Sequence, residues 1–209
     1  MFTTNQIMLK PLDILGDGTP LNLPGAKLRY YESFFNKKEA SNYFIEILNT
    51  TTWKQDKIKV YGKTYMHPRL TALYANNALP YSYSGIKMHP EKMTHILSEI
   101  QNRIHKVSND IFTTVLINQY RNGNDSNGWH ADNEKELGKN PIIASVSFGS
   151  DRFFHLKHKE KKELRFKILL KSGSLFFMEG ETQTHWLHQI AKTSQPVGTR
   201  INLTFRKII

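Results

Sequence analysis

The sequence predicts an α+β domain whose first half is helical and whose second half is rich in strands. Two segments, 36–50 and the one after Pro90, carry apolar residues at the spacing of an amphipathic helix. After residue 110 the chain changes to short runs of β-branched and aromatic residues that turn residues separate. Six or more short strands with this spacing are typical of a β-sandwich or a barrel.

The length of 209 residues corresponds to about one domain. We expect a loose N-terminal arm over residues 1–25, because Gly, Pro and Asn are frequent there. A single domain is predicted over 26–209, with the helices in 26–110 and the strands in 111–209.

Each predicted helix has its own start signal. Asn36 and Glu39 resemble a capping box, which favours a helix that begins directly after Asn36. Pro90 suits the first turn of the second helix, since that position needs no backbone donor. The apolar stripe of the first helix is Ala40, Tyr43, Phe44, Ile47 and Leu48, and that of the second is Met93, Ile96, Leu97, Ile100 and Ile104.

The strands of the second half are predicted from β-branched and aromatic content between turn residues. They cover 111–121, 141–149, 151–156, 163–170, 173–179 and 200–209. The stretch "HLKHKEKKELRFK", residues 155–167, is strongly basic and lies between two of these strands. It predicts a solvated hairpin tip, and contact with phosphate groups is the alternative.

The amino-acid composition of the chain limits which partners and which kinds of metal site are expected. There are 29 Lys and Arg residues against 18 Asp and Glu, and the net charge of +11 favours a polyanionic partner, nucleic acid first. Simple solubility is the alternative reading of this charge. The absence of cysteine excludes disulfides, thiolate zinc sites and cysteine nucleophiles, so any metal must take nitrogen and oxygen ligands. With no signal-peptide pattern and no long apolar run, we expect a cytoplasmic protein with no membrane partner. We also expect a monomer.

A candidate metal site begins in "GWHADNEKEL", residues 128–137. His130 and Asp132 are two residues apart, so on a strand their side chains point to the same face. Further along, "THWLHQ" offers His185 and His188. Two histidines and one carboxylate form the facial triad of non-haem Fe(II) oxygenases. A zinc hydrolase with the same ligands, or ordinary structural histidines, are the alternatives.

The last predicted strand has one apolar and one polar face. Arg200, Asn202, Thr204 and Arg206 alternate with Ile201, Leu203 and Phe205. The planar fork of Arg matches a carboxylate, so two arginines on one face suit a dicarboxylate co-substrate. On "LINQY", Asn118 and Tyr120 share a face in the same way and can add donors.

These motifs, in this order and spacing, resemble the AlkB family of Fe(II)- and 2-oxoglutarate-dependent dioxygenases, and most of all its DNA-repair branch. The segments "KVYGKTYMHPR" (59–69) and "LPYSYSG" (79–85) are similar to the nucleotide-recognition segment of that branch. The resemblance implies a double-stranded β-helix (jelly-roll) core over 111–209. It places flanking helices and the nucleotide-recognition segment in 26–110.

The resemblance also implies residue roles at the catalytic centre. His130, Asp132 and His188 are expected to be the iron ligands, with His185 structural and Trp129 packed beneath the first ligand. Arg200 and Arg206 are expected to pair with the two ends of 2-oxoglutarate. Asn118, Tyr120, Asn202 and Thr204 are expected to complete that pocket, with strand-face hydrogen bonding as the alternative for the last two.

Substrate contacts are implied at seven further positions. Tyr81 and Tyr83 are expected to stack on a flipped base. Glu134 is expected near the exocyclic amine, and Asn133 stands where an acidic residue is common in relatives. Core packing of the tyrosines, a tight turn and a surface acid are the alternatives. The expected lesion contacts are Tyr61, which stands where relatives often have Phe, Gly62 and Lys63, with Lys63 on a phosphate.

The implied function is oxidative demethylation of N-alkylated bases in DNA, such as 1-methyladenine and 3-methylcytosine. Fe(II), 2-oxoglutarate and O2 are the expected cofactor and co-substrates, and the products are formaldehyde, succinate and CO2. The alternatives are an oxygenase of the same fold that acts on RNA or on protein or lipid, and a non-catalytic nucleic-acid-binding module.

Overall fold

The computed structural model describes residues 8–209 except 61, 78, 80, 84 and 85, with the backbone alone at 59, 60, 63, 81–83, 86 and 87. The helices are α1 (Lys37–Thr50), α2 (His95–Ser108) and α3 (Thr182–His185), with a 3₁₀ turn at Lys135–Leu137. The strands are β1 (Lys10–Pro11), β2 (Leu21–Leu23), β3 (Ala26–Tyr31), β4 (Lys57–Val60), β5 (Lys63–Met66), β6 (Leu70–Ala75), β7 (Tyr81–Tyr83), β8 (Ile86–Met88), β9 (Glu91–Lys92), β10 (Thr114–Tyr120), β11 (Asn127–His130), β12 (Ile143–Gly149), β13 (Arg152–His158), β14 (Arg165–Leu170), β15 (Ser174–Glu179), β16 (Trp186–Ile190) and β17 (Arg200–Arg206).

The start of α1 is the predicted capping box. The Asn36 side chain accepts a hydrogen bond from the Glu39 backbone N–H at 3.0 Å, and the Glu39 carboxylate accepts one from the Asn36 N–H at 2.9 Å. Glu39 also forms a 2.7 Å ion pair with Arg103 on α2. The cap therefore ties the two long helices to one another.

The second helix begins later than predicted, and Pro90 is not in it. Thr94 is the N-cap residue, because its hydroxyl accepts the Leu97 N–H at 3.4 Å and so satisfies a free donor of the first turn. Pro90 instead precedes the short strand β9, which pairs with β6. Met93 accordingly lies outside the helix, although it packs against the same apolar cluster as Ile96.

The core of the domain is built from two facing sheets. The larger sheet has the order β2-β3-β15-β12-β17-β10-β6-β9 and the smaller one β1-β14-β13-β16-β11. From β10 to β17 the chain passes from one sheet to the other at every connection except the hairpin between β13 and β14. This alternation is a jelly-roll, and it confirms the predicted α+β fold class.

Two apolar layers hold the fold together. The first lies between the two helices α1 and α2 and the side of the larger sheet that they cover, and it includes Ile47, Ile100, Val146 and Phe205. The second lies between the two sheets and includes Leu116, Phe154, Phe176 and Trp186. Of the helices in the described residues, none has the length and apolar character that a membrane span requires.

The central strand β17 faces both layers of the structure. Ile201, Leu203 and Phe205 enter the helix-facing layer, as the alternation in the sequence predicts. Arg200, Asn202, Thr204 and Arg206 point the other way, into a pocket between the sheets. The apolar face therefore anchors the strand while the polar face lines the pocket.

From residue 10 on, the segment predicted as a loose arm contributes strands to both sheets. β1 pairs in parallel with β14, and β2 pairs with β3 at the edge of the larger sheet. The high Gly content misled the prediction, because Gly18 and Gly25 supply positive φ angles of 90° and 68° around these strands.

Strands within 26–110, among them β3 and β6 of the larger sheet, were not predicted, and neither were β11 and β16 of the smaller sheet. β11 is only four residues long and contains Gly128, and β16 carries the polar residues His188 and Gln189. The basic stretch 155–167 does form a hairpin, since β13 pairs with β14 from Arg152↔Leu170 to Lys157↔Arg165.

Asn36→Ala should lower the free energy of unfolding by about 1 kcal/mol, because it leaves a backbone donor at the start of α1 without its acceptor. Urea unfolding measures the change. The control is Ser41→Ala, which alters an exposed position in the same helix. Equal stability of the two variants would show that the cap contributes nothing.

Candidate metal centre and co-substrate pocket

Three of the predicted ligands meet at one point between the sheets. His130 ends β11, Asp132 follows two residues later, and His188 lies in β16, directly opposite His130 in the strand register. One candidate ligand atom from each residue lies within 4.8 Å of the other two. The structure therefore brings together side chains that are 58 residues apart in sequence.

An irregularity in β11 aims His130 at this point. The register with β16 shifts between Asn127 and His130, so that both residues face the pocket although they are three apart. The backbone N–H of Asp132 donates to the Gln183 side-chain oxygen at 2.9 Å, which fixes the chain directly after the strand.

The histidine contacts select the nitrogen atoms that face the centre. His130 Nδ1 lies 2.8 Å from the Gly128 carbonyl oxygen, which calls for a proton on Nδ1 and leaves Nε2 as the acceptor. That Nε2 is 3.8 Å from Asp132 Oδ1, and His188 Nε2 is 4.0 Å from Asp132 Oδ2. The His188 ring stacks on Phe154 with 5.2 Å between ring centroids, which fixes its plane.

The protonation states suit a bound cation. Burial alone would raise the pKa of Asp132, but the positive charge of Arg206 opposes this effect most strongly, and the pKa is lowered to about 2. Burial lowers the pKa of His188 to about 3 and also lowers that of His130. At neutral pH the site thus offers one carboxylate and two neutral imidazoles, the forms in which these groups bind metals.

The donor set fits Fe(II). Two imidazole nitrogens and one carboxylate are the facial triad that non-haem iron uses, and they leave further coordination positions for other ligands. Asp132 Oδ1 is buried and accepts no hydrogen bond from any residue that the structure describes. A metal ion at the centre would satisfy this oxygen.

A second buried charge lines the same pocket. Arg200 is 1% exposed, and its guanidinium donates to the Ser147 hydroxyl at 2.9 Å. Its Nε and Nη1 atoms have no hydrogen-bond acceptor among the described residues. Burial lowers the pKa of Arg200 to about 10, so the group stays charged at neutral pH. Because a buried unpaired charge is costly, the cation calls for an anionic ligand such as a carboxylate.

The other predicted pocket residues form a network around this cation. Asn202 donates to the Ser145 hydroxyl at 2.8 Å, and Thr204 donates to the Asn202 side-chain oxygen at 3.0 Å. Asn118 lies opposite Asn202 in the register, and the Tyr120 ring lies 5.3 Å from the Arg200 guanidinium carbon. All of these predicted residues line the one pocket.

Arg206 differs from Arg200 in its contacts. Its Nη2 lies 3.0 Å from Asp132 Oδ2, so this arginine contacts one of the candidate metal ligands, whereas Arg200 has no such contact. The two predicted arginines begin and end β17 and both line the pocket, so two separate cations are available for a dicarboxylate.

Four residues of the site were missed by the sequence analysis. Ser145 and Ser147 support Asn202 and Arg200, and their alternation in "IASVSFG" was an available signal. Gln183 holds the Asp132 backbone, and Arg69 donates to the Asn118 oxygen at 2.7 Å. No pattern in the sequence marks these two, because their partners are 51 and 49 residues away.

The residues expected to contact substrate lie partly outside the described structure. Tyr61 and the side chains of Lys63, Tyr81 and Tyr83 are not among the described parts. Gly62 is exposed between β4 and β5 with a positive φ of 78°, which suits the tight-turn alternative. Asn133 is exposed and Glu134 is half-buried next to Asp132. His185 lies away from the centre, with Nε2 3.5 Å from Glu181 and its ring stacked on His158.

Fold and donor set together define a jelly-roll of the non-haem iron class. Comparison with known proteins agrees. The family model of the 2OG-Fe(II) oxygenase superfamily matches residues 27–206. Alpha-ketoglutarate-dependent dioxygenase alkB homolog 3 of Bos taurus is 41% identical over 84% of this chain, and DNA oxidative demethylase ALKBH2 of Mus musculus is 35% identical over 86%. The chain belongs to the 2OG-Fe(II) oxygenase superfamily and, within it, to the AlkB family.

The coverage of these relatives differs. The chain spans 64% of the length of the bovine homologue and 79% of the mouse one. The solved structure of OsALKBH1 has a TM-score of 0.62 at 16% identity and covers 90% of this chain and 99% of that one, which supports the fold. Family membership implies Fe(II), 2-oxoglutarate and O2, as the sequence predicted.

Asp132→Ala should abolish metal binding, because it removes the only anionic donor of the described cluster. Losing a contact that only orients a metal ligand costs roughly 10–100-fold in metal affinity. We expect the loss of Mn(II) affinity in this variant to be larger, because a ligand itself is removed. Anaerobic titration calorimetry measures it, and thermal unfolding checks that the variant is folded. Asp13→Ala, an exposed change of equal charge, is the control. Unchanged Mn(II) affinity in Asp132→Ala would contradict the assignment.

Arg200→Met and Arg206→Met should have different effects. Losing the partner of a buried charge costs about 2 kcal/mol or more, so each should weaken 2-oxoglutarate binding roughly 30-fold or more. Only Arg206→Met should also weaken Mn(II) binding, because Arg206 contacts Asp132. Calorimetry with Mn(II), and then with 2-oxoglutarate, separates the two effects. Unchanged 2-oxoglutarate affinity in both variants would show that the co-substrate binds elsewhere.

Proposed function

We propose that this protein demethylates N-alkylated bases in DNA by direct oxidative reversal, with 1-methyladenine and 3-methylcytosine as typical substrates. The observation that supports it most is that one pocket holds both a His-Asp-His donor set and a buried arginine that has no carboxylate partner among the described residues. The name of one similar protein, a DNA oxidative demethylase, supports DNA as the substrate, and the name of another, an alpha-ketoglutarate-dependent dioxygenase, supports the co-substrate.

Different residues of the pocket would hold the metal ion and the co-substrate. His130, Asp132 and His188 would hold Fe(II), and Arg206 keeps Asp132 ionised and in place. Arg200, with Ser147 beside it, would bind the far carboxylate of 2-oxoglutarate, and Asn118, Tyr120, Asn202 and Thr204 would line the space between. When bound, Fe(II) with 2-oxoglutarate and O2 supplies the oxidation of an N-methyl carbon, and 2-oxoglutarate leaves as succinate and CO2.

The products follow from the chemistry of the oxidised base. Hydroxylation of an N-methyl group gives an N-hydroxymethyl group, whose C–N bond breaks to release formaldehyde and the unmodified base. The pocket walls Phe154, Met178 and Ile190 are apolar and limit the access of water to the centre.

A base must leave the helical stack to reach this pocket. A methylated base such as 1-methyladenine carries positive charge and does not pair normally, so its extrusion costs less than that of an intact base. Glu134 is half-buried and follows Asp132 by two residues, and its carboxylate would attract such a cation. The net charge of +11 favours the polyanionic strand that carries the base.

RNA is the alternative substrate, since the phosphate backbone and the N-methylated base that the proposal requires are common to DNA and RNA. An oxygenase for protein or lipid fits the excess of basic residues less well.

Oligonucleotides that carry 1-methyladenine or 3-methylcytosine test the proposal. With Fe(II), 2-oxoglutarate and O2, the protein should release formaldehyde and succinate in equal amounts from the methylated strand. An unmodified strand and the Asp132→Ala variant should release no formaldehyde. Single-stranded DNA, duplex DNA and RNA are compared in parallel. Succinate formation that responds only to protein or lipid would overturn the proposal.

A further inference from the structure

The smaller sheet has a face that points away from the metal centre and carries aromatic and basic side chains. Residues of β13 alternate, with Phe154 and Leu156 buried between the sheets and their neighbours on the other side. Trp129 on β11 joins this other side, contrary to the expectation that it packs beneath His130. We call this surface the outer face; its residues are Trp129, Phe153, His155, Lys157, Arg165 and Lys167.

Rings and cations alternate across the outer face. The Lys157 ammonium lies 4.4 Å from the centre of the Trp129 ring, and the Lys167 ammonium 5.0 Å from that of Phe153. The His155 ring lies between them, 6.4 Å from Trp129. Phe153 is 48% exposed, which is unusual for so large an apolar side chain.

The cations of the outer face are not neutralised within the described chain. Lys157, Arg165 and Lys167 have no carboxylate within ion-pair distance among the residues that the structure describes. Burial and the neighbouring charge of Arg165 lower the pKa of Lys157. Like charges held together without counter-ions favour a bound polyanion.

A groove continues the outer face beyond Phe153. It has a volume of about 280 Å³ and is lined by Phe153, His155 and Leu169 on one side and Lys192 and Thr193 on the other. Among the residues that line this groove, Asp151 is the one with an acidic side chain. One further cation, Lys192, therefore lies next to the outer face beyond the edge of the sheet.

The outer face leads to the metal centre around a sheet edge. β11 is the last strand of the smaller sheet, and Trp129 on its outer side directly precedes His130 on its inner side. The distance from β14 to β11 is three strand spacings, or about 14 Å. A chain lying across the outer face would turn at β11 and present its next unit to the pocket.

We propose that the outer face binds the single-stranded stretch of nucleic acid that flanks the reacting base. Aromatic rings accept any base by stacking, and lysine and arginine accept the phosphates, so this binding is independent of sequence. The inference rests on the proposed function, because it assumes that the substrate is a nucleic acid.

The test compares two charge-reversal variants of the full chain. Lys157→Glu/Lys167→Glu alters the outer face, and Lys37→Glu/Lys38→Glu alters exposed lysines of α1 with the same change of net charge. Anisotropy under anaerobic Mn(II) measures binding of a methylated single-stranded oligonucleotide without turnover. The outer-face variant should bind at least about ten-fold more weakly than the control, and the slope of log affinity against log salt should fall by about two.

The rate of demethylation of a methylated mononucleotide distinguishes a defect of the outer face from a defect of the pocket. The outer-face variant should demethylate it at the rate of the control, because a single nucleotide does not reach across the sheet. If wild-type protein demethylates the oligonucleotide but both variants bind it equally, the outer-face proposal alone is overturned. If wild-type protein neither binds nor demethylates any nucleic acid, the proposed function fails as well.

Tryptophan fluorescence gives a second readout that does not depend on the charge variants. Stacking of a base on Trp129 should quench wild-type emission, and Trp129→Phe should lose that quenching. Trp186 is buried and Trp53 packs on the helical layer, so both lie away from the outer face. Equal quenching in wild type and Trp129→Phe would contradict stacking at this position.

Discussion

The structure depends on one ion pair, between Asp132 and Arg206 at 3.0 Å. Both side chains are buried, and a buried carboxylate without a cation would take up a proton and lose its value as a metal ligand. Arg206 prevents this, because its charge opposes the effect of burial and holds the pKa of Asp132 near 2. The second carboxylate oxygen remains for a metal that two neutral imidazoles also face.

Strand β17 makes this pair compatible with a stable fold. Its apolar side chains pack in the layer under α1 and α2, and its polar side chains line the pocket. Because side chains alternate along a strand, the same strand both stabilises the fold and supplies pocket residues. The smaller sheet works in the same way. Its inner side carries His130 and His188, and its outer side carries the rings and cations that we assign to the flanking strand.

Much of this could be predicted from the sequence, and the reasons for success and failure are physical. The capping box at Asn36, the polarity of β17 and the grouping of His130, Asp132 and His188 depend on short spacings or on motif order, which a sequence displays directly. The start of α2, the strands within 10–25 and the support from Arg69 and Gln183 depend on tertiary partners far along the chain. Such contacts leave no local pattern. The orientation of Trp129 depends on the register shift in β11, and that shift is likewise absent from any local pattern.

Three side chains that are distant in the sequence would hold one metal ion beside a dicarboxylate that is bound at both ends. The most direct measurement is an anomalous difference map from crystals grown anaerobically with Mn(II) and 2-oxoglutarate. The account predicts a single strong peak bounded by His130 Nε2, His188 Nε2 and the Asp132 carboxylate, with the far carboxylate of the co-substrate on Arg200. A peak at any other group of side chains, or a co-substrate that does not contact Arg200, would contradict it.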